Sequence, residues 1–391
     1  MMSEVSYSRP KTGLVLSGGG ARAAYQAGVV AGIMEILQAD GKFKSFPFPI
    51  VTGVSAGAIN ASFLASHAHD PLGGAAGMQE IWKNISAEQV MRTDIPHFLK
   101  TLGQLLMNLA LRRFRNPEML KPPYSLLDAS PLRKLLMRAV DFNQLTENLD
   151  KNVLDAVAIT ATDYWNSNCV SFVQSAFNHE QWKRRRRFGV QTRLNVRHIL
   201  ASASIPIFFS PIDIDGRYYG DGSVRNMAPL SPPIHLHAEK LVIVSVKKPV
   251  DSIELDRTRT LPPSPAKVLS LILNALMLDQ TDFDMERLMR INATLKSVNS
   301  GGVSSLQLKP IDYLWIQPSE DLGELAKEYA KGLPRMLKWV LKPLGSLEQA
   351  TEIVSYLLFD SAYCTRLIDI GKADARRRKQ EILNFFSLQS R

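Results

Sequence analysis

Gly53-Val54-Ser55-Ala56-Gly57 is the first stretch of this chain whose residue types and spacing could do chemistry. It has the Gly-x-Ser-x-Gly form of a nucleophile elbow, in which a strand turns sharply into a helix and lifts a serine hydroxyl clear of a sheet. Phe48 to Thr52 ahead of it reads as a short buried strand, and Ala58 to Ala65 behind it as a helix. The small residues at 53, 56 and 57 let the backbone turn tightly and leave the hydroxyl uncovered. The start of the following helix presents unpaired N–H groups and a partial positive charge, which favour negative charge developing at the serine. The same spacing also suits a strand-to-helix turn with no chemistry.

A second stretch adds an anion cradle. Thr12 to Leu16 reads as a strand, Ser17-Gly18-Gly19-Gly20-Ala21-Arg22 as a glycine turn, and Ala23 to Leu37 as a helix. Free backbone N–H groups at such a junction suit an anion, and Arg22 adds a fixed charge. A dinucleotide site would want a third glycine where Ala23 stands, and an acidic residue ending a strand where Asp40 sits in a turn. The other reading is an oxyanion hole, with donors held where an ester carbonyl becomes a tetrahedral alkoxide. The third piece is Tyr218-Tyr219-Gly220-Asp221-Gly222-Ser223. Asp-Gly alone is a common turn pair. Its weight comes from following, in chain order, a glycine loop and an elbow.

Taken together, these three motifs resemble those of the patatin-like phospholipase family, acyl hydrolases that use a serine–aspartate dyad. Ala201-Ser202-Ala203-Ser204-Ile205-Pro206-Ile207-Phe208-Phe209, Ser125-Leu126-Leu127-Asp128 and Pro131-Leu132 add less specific matches, and the resemblance covers about residues 13–234. It implies Ser55 as nucleophile and Asp221 as proton acceptor. Gly18, Gly19 and Gly20 with Arg22 would form the oxyanion loop, Gly53 and Gly57 would frame the elbow, and Gly222 and Ser223 would complete the aspartate turn. It also implies a three-layer α/β/α fold with a mostly parallel central sheet, and neither metal nor organic cofactor. Two positions depart from the family pattern, which usually has glycine at Ala23 and glycine or alanine at Ser223. The stretches at Tyr356 to Phe359 and Ala373 to Ala375 resemble the C-terminal extension common in bacterial members.

A dyad suffices chemically because the base that takes a serine proton need not be imidazole, and a carboxylate in a water-poor cleft is strengthened as a base. A Ser–His–Asp esterase of α/β-hydrolase type is the competing enzyme reading, since His235 and His237 follow Asp221. Both follow it closely, however, and the glycine loop begins with Ser17 where such enzymes carry histidine. A non-catalytic, membrane-docked lipid-binding scaffold is the reading from another class.

The elements that must position these residues alternate between strand and helix, which argues for a mostly parallel sheet covered on both faces. Strands are expected at 13–16, 49–52, 153–160, 169–174, 212–219, 241–246 and 312–316, with helices at 21–38, 56–66, 75–84, 96–113, 131–139 and 195–203. The expected organisation is a catalytic domain at 12–250, a linker at 251–266 and a mainly helical C-terminal extension at 267–391. Phe98, Leu99, Leu102, Leu105, Leu106 and Leu109 recur at helical spacing and run into Arg112-Arg113-Phe114-Arg115, the texture of a membrane-surface or lid helix. Its alternative is a helix packed on the core.

The chain has 391 residues, of which 45% are hydrophobic and 21% charged, a globular balance. Two cysteines, Cys169 and Cys364, make no disulfide framework, and no apolar run reaches membrane-spanning length. No secretory signal is visible at Met1 to Val5, so the expected place is the cytoplasm or the inner membrane surface. Net charge is +10, concentrated at Lys183-Arg184-Arg185-Arg186-Arg187 through Arg197 and at Arg376 to Lys379. No nucleic-acid module accompanies it. An anionic lipid surface, touched reversibly through 183–187, is the partner expected besides an acyl-ester substrate; plain solvated charge is the alternative.

Overall fold

Along β1 (Thr12–Leu16) side chains alternate between two apolar layers: Leu14 and Leu16 pack on one face and Val15 on the other. A strand buried on both sides belongs inside a sheet covered by helices on both faces. That is the architecture of the computed structural model, which describes residues 11–41, 45–111, 125–177, 181–249, 262–297, 308–342 and 350–387. Arg112 to Arg115 and most of 251–266 lie outside the described residues.

One sheet of ten strands runs in the order β10 (Asp312–Ile316), β9 (Lys240–Val244), β1, β2 (Ile50–Val54), β3 (Ala156–Asp163), β4 (Asn168–Ser175), β6 (Arg187–Gln191), β5 (Lys183–Arg184). The hairpin of β7 (Ile212–Ile214) and β8 (Arg217–Asp221) joins through β8 to the end of β3. From β10 to β3 every neighbour is parallel; antiparallel pairing begins where β4 turns back on β3. The fold is thus mixed α/β with a mostly parallel centre and a helical C-terminal region.

The helix Ala24–Ala39 connects β1 to β2 and is buried along its first three turns. Such a helix must be covered on its outer side too, and Ser361–Arg377 from the C-terminal region packs along it, with Tyr25 Oη donating to Asp374 Oδ2 at 3.0 Å. The C-terminal region therefore supplies both a strand of the sheet and a cover for its first crossover. In the helix Ile95–Leu111, Phe98 is buried with its ring edge-on to Trp339, while Leu99, Leu106 and Met107 are exposed. No helix of the described residues is long and apolar enough to cross a membrane.

Three segments differ from the sequence expectation. Residues 212–219 form a hairpin instead of one strand, turned at Asp215 and Gly216 with φ of 53° and 79°. Two positive φ values are what an Asp-Gly pair provides at a tight turn. The basic run at 183–187 is an edge hairpin of the sheet, β5 against β6. An unanticipated helix, Phe142–Asp150, starts where the Asp141 side chain accepts from the N–H groups of Asn143 and Gln144.

Candidate active site

Ser55 sits between the end of β2 and the helix Ala56–Ser66, with φ 54° and ψ −129°. A non-glycine residue in that region costs about 1–3 kcal/mol and persists only where its surroundings impose it. Ser202 supplies much of that constraint: its Oγ accepts from the Ser55 N–H at 2.9 Å and donates to the Thr160 carbonyl at 2.6 Å. The helix start also lies hard against the end of β1, and a Cβ on Gly57 would collide with the Leu16 and Ser17 carbonyl oxygens. Gly57 is thus demanded by backbone approach, which lets the Ser55 hydroxyl emerge at the C-terminal ends of the parallel strands.

Asp221 ends β8 and pairs in register with Ala161 of β3. Its backbone is fastened on both sides: its N–H donates to the Ser204 carbonyl at 2.9 Å, and its carbonyl accepts from Thr162 Oγ1 at 2.8 Å. The side chain is fully buried. Oδ1 accepts from the Ser223 N–H at 2.8 Å, whereas Oδ2 has no hydrogen-bond partner of normal geometry. Burial pushes the carboxyl up to about 6, against the pull of the Ser55 hydroxyl and of the Ser223 N–H and hydroxyl. The Ser55 hydroxyl therefore lies near enough to favour the carboxylate without yet satisfying Oδ2. A buried acceptor with an open lone pair beside a hydroxyl is poised to take a proton.

Gly18 brings the glycine loop to the same point. A Cβ there would stand 3.1 Å from Ser55 Cβ and 2.6 Å from Ser223 Oγ, so a side chain would fill the space beside the hydroxyl. No acceptor is recorded for the N–H groups of Gly18 and Gly19 among the described residues. Ser223 Oγ is likewise buried with no hydrogen bond of normal geometry, though it lies near enough to the Asp221 carboxyl to pull its pKa down. The structure thus gathers Gly18, Ser55, Asp221 and Ser223, with Gly53, Gly57 and Gly222 in the supporting turns. Arg22 turns elsewhere. Its guanidinium donates from Nε to Ser355 Oγ at 2.8 Å, pairs with Glu352, and lies over the Tyr356 ring 5.0 Å from its centroid. All these partners belong to or adjoin the helix Thr351–Leu357, so Arg22 ties the loop to the C-terminal region.

A narrow apolar cleft opens from Ser55 and Gly20. Its walls include Ile59, Trp82, Leu132, Leu135, Ile205 and Phe209. The intervening segment between β2 and β3 therefore lines the cleft.

Of the seven histidines, all but His179 are described, and no contact with Ser55 or Asp221 is recorded for any of those. His235 stacks on Trp182 with ring centroids 5.0 Å apart, and burial pushes it down to about 4. His237 lies 6.1 Å from the Phe177 ring. Ser202, which holds the Ser55 backbone at the elbow, showed in the sequence only as part of a small-residue run before the aspartate strand.

Among solved structures, the chain is similar to VipD from Legionella pneumophila at 17% identity, covering 79% of this chain and 61% of that one with a TM-score of 0.34. A human GIVD cytosolic phospholipase A2 matches at 12% identity over 97% of this chain and 60% of its own, with a TM-score of 0.37. The type III effector ExoU matches at 16% identity over 90% and 77%, with a TM-score of 0.26. This chain thus spans about three fifths of the length of the first two. No curated protein matches it. The family model for patatin-like phospholipases matches residues 14–234, more than half of the chain and every motif above, and the chain belongs to that family.

Proposed function

We propose that this protein is a serine acyl hydrolase that cleaves carboxylic esters of phospholipids, lysophospholipids or related acyl lipids through a Ser55–Asp221 dyad. The observation carrying this reading is Asp221 Oδ2, fully buried and unpartnered beside the Ser55 hydroxyl at the head of an apolar cleft. Asp221 Oδ2 takes the Ser55 proton as Oγ bonds to the carbonyl carbon, and the displaced carbonyl electrons form an oxyanion. The Gly18 and Gly19 N–H groups and the start of the helix Ala56–Ser66 are the donors at hand for that charge. Collapse breaks the ester C–O bond, and the leaving alcohol takes the proton from Asp221. Water then gives a proton to Asp221 as its oxygen adds to the acyl carbon, and expulsion of Ser55 Oγ, which recovers the proton, frees the fatty acid. The apolar cleft suits an acyl chain.

The reading extends to 267–391 as part of the catalytic unit, supported by β10 in the sheet and by the anchoring of Arg22. It also takes the 183–187 hairpin as a reversible contact with anionic membrane, each cation near such a surface being worth about 1 kcal/mol. Purified protein should be tested on phospholipids, lysophospholipids and short-chain esters, beside fluorophosphonate labelling of Ser55. Absence of both turnover and labelling in the folded protein would leave the scaffold reading standing.

A further inference from the structure

The two basic runs of the chain have opposite surroundings. In the C-terminal run, Arg376 pairs with Glu35 at 3.1 Å, Arg378 pairs with Glu381 at 2.6 Å, and Arg377 pairs with Asp374. In the β5–β6 hairpin no ion pair is recorded for Arg185, Arg186 or Arg187 among the described residues. Instead these three line one pocket with Arg225 and Arg287, which come from the turn after Asp221 and from the helix Asp279–Ser297. Five arginines from three parts of the fold thereby line one space.

Their compensation is slight. Asp284 is 3.5 Å from Arg287 and is the carboxylate recorded in contact with the group; its other oxygen already accepts from the Leu230 N–H at 3.0 Å. Arg225 Nε is held by the Ser167 carbonyl at 3.1 Å, which fixes the plane of its guanidinium in the pocket wall. Arg186 and Ser167, both in the pocket wall, have φ of 59° and 54°. Glycine would occupy those turns without strain, so the arginine at the hairpin tip sits there against local preference.

We infer that this pocket binds a multiply charged phosphate group, carried by a lipid headgroup or by a soluble compound. Arginine forks match phosphate oxygens in bidentate geometry, and five cations facing one engaged carboxylate leave an excess that a singly charged anion does not neutralise. The site differs from a diffuse membrane contact because it requires Arg225 and Arg287, outside the basic run. It is also separate from the ester chemistry, since none of the five touches Ser55 or Asp221.

The test titrates full-length protein with inorganic pyrophosphate by calorimetry, in parallel with Arg225→Gln and Arg287→Gln. Saturable binding is expected at one site per chain, weakened about tenfold or more by each substitution, the scale of one charge-assisted bond. Arg287 is exposed on a helix, so its variant should keep the parent's thermal midpoint and its rate on a short-chain ester. Vesicles of phosphatidylcholine with phosphatidic acid, against vesicles with phosphatidylserine at equal charge, separate the two sources. Preference for phosphatidic acid that pyrophosphate abolishes assigns a lipid monoester; pyrophosphate binding without that preference assigns a soluble ligand. No saturable pyrophosphate binding, or equal binding in both variants, overturns the site, while loss of ester turnover would bear only on the Ser55 reading.

Discussion

Ser55 at the elbow and Arg186 at the tip of the β5–β6 hairpin both hold positive φ, at 54° and 59°, where a side chain costs about 1–3 kcal/mol. Their surroundings hold them differently. The Ser55 backbone is locked by the buried Ser202 hydroxyl and by helix–strand contact at Gly57. Arg186 is held by a ladder bond, its carbonyl accepting from the Cys169 N–H at 2.9 Å, and its side chain reaches water. Near Ser55 the unmet demand is one lone pair on a buried carboxylate. Near Arg186 it is net positive charge. Dry surroundings make the first a matter of proton affinity, with little response to salt; wet surroundings make the second a matter of counterions, screened over about 10 Å at 0.1 M salt.

Breaking the buried side should have the largest effect. Ser55→Ala and Asp221→Asn should each lower turnover of a soluble ester by about 10⁴-fold or more, and the pair together little further, because such residues act as a unit. Full activity in Asp221→Asn with loss in His235→Ala would replace the dyad by a triad. Gly18→Ala should lower kcat by about 10²-fold, the scale of losing an oxyanion donor, with the thermal midpoint nearly kept; unchanged kcat would remove the loop from the mechanism.

Energetic effects come next. Asp221 is pushed up to about 6 by burial, against about 3.9 in an unfolded chain. Between those values the native state holds the proton and the unfolded state does not, so this group makes stability fall as pH rises from about 4 to 6. Asp221→Asn should therefore raise resistance to urea at pH 7.5, by at most about 3 kcal/mol, while it kills turnover. In the parent, kcat/KM should rise through about pH 6 to a plateau as the carboxylate forms; a flat profile from pH 5 to 8 would dissociate the rate from Asp221. Ser202→Ala leaves a buried N–H without its acceptor and should cost about 1–3 kcal/mol, with kcat falling more than KM rises. The smallest expected effect is Ser223→Ala, which removes a hydroxyl that lowers the Asp221 pKa and should move the same pH rise upward. On the exposed side, Arg184 to Arg187→Gln should weaken binding to anionic vesicles and leave Ser55 labelling intact; altered labelling would show that the two regions are not independent.

Much of the buried region was legible because its signals are local. The elbow, the glycine turn and the helix Ala56–Ser66 follow from residues within a few positions of one another. What escaped depends on distant partners. Arg22 bonds to residues about 330 positions away, and no spacing rule announces that its charge is spent on the C-terminal region. Ser202 meets Ser55 across 147 positions. The basic hairpin was hidden by composition, since a run of arginines reads as solvated loop whether or not its backbone joins a sheet edge. At Asp215-Gly216 the turn signal was present and local; the apolar residues on either side made one strand the more natural reading.

β10 has a consequence for any attempt to trim this chain to its matched segment. β9, Lys-Leu-Val-Ile-Val, is buried at all five positions and paired on both sides, with β1 and with β10. A chain ended near 250 would keep every motif and lose β10, turning β9 into an open edge. Apolar, β-branched runs such as Leu241 to Val244 recruit other chains when their edge is free, so the shortened protein is expected to precipitate or form oligomers on size-exclusion chromatography. Adding back the segment through Ile316 should restore a monodisperse peak before any activity returns, since the anchors of Arg22 lie further on, at Glu352 and Ser355.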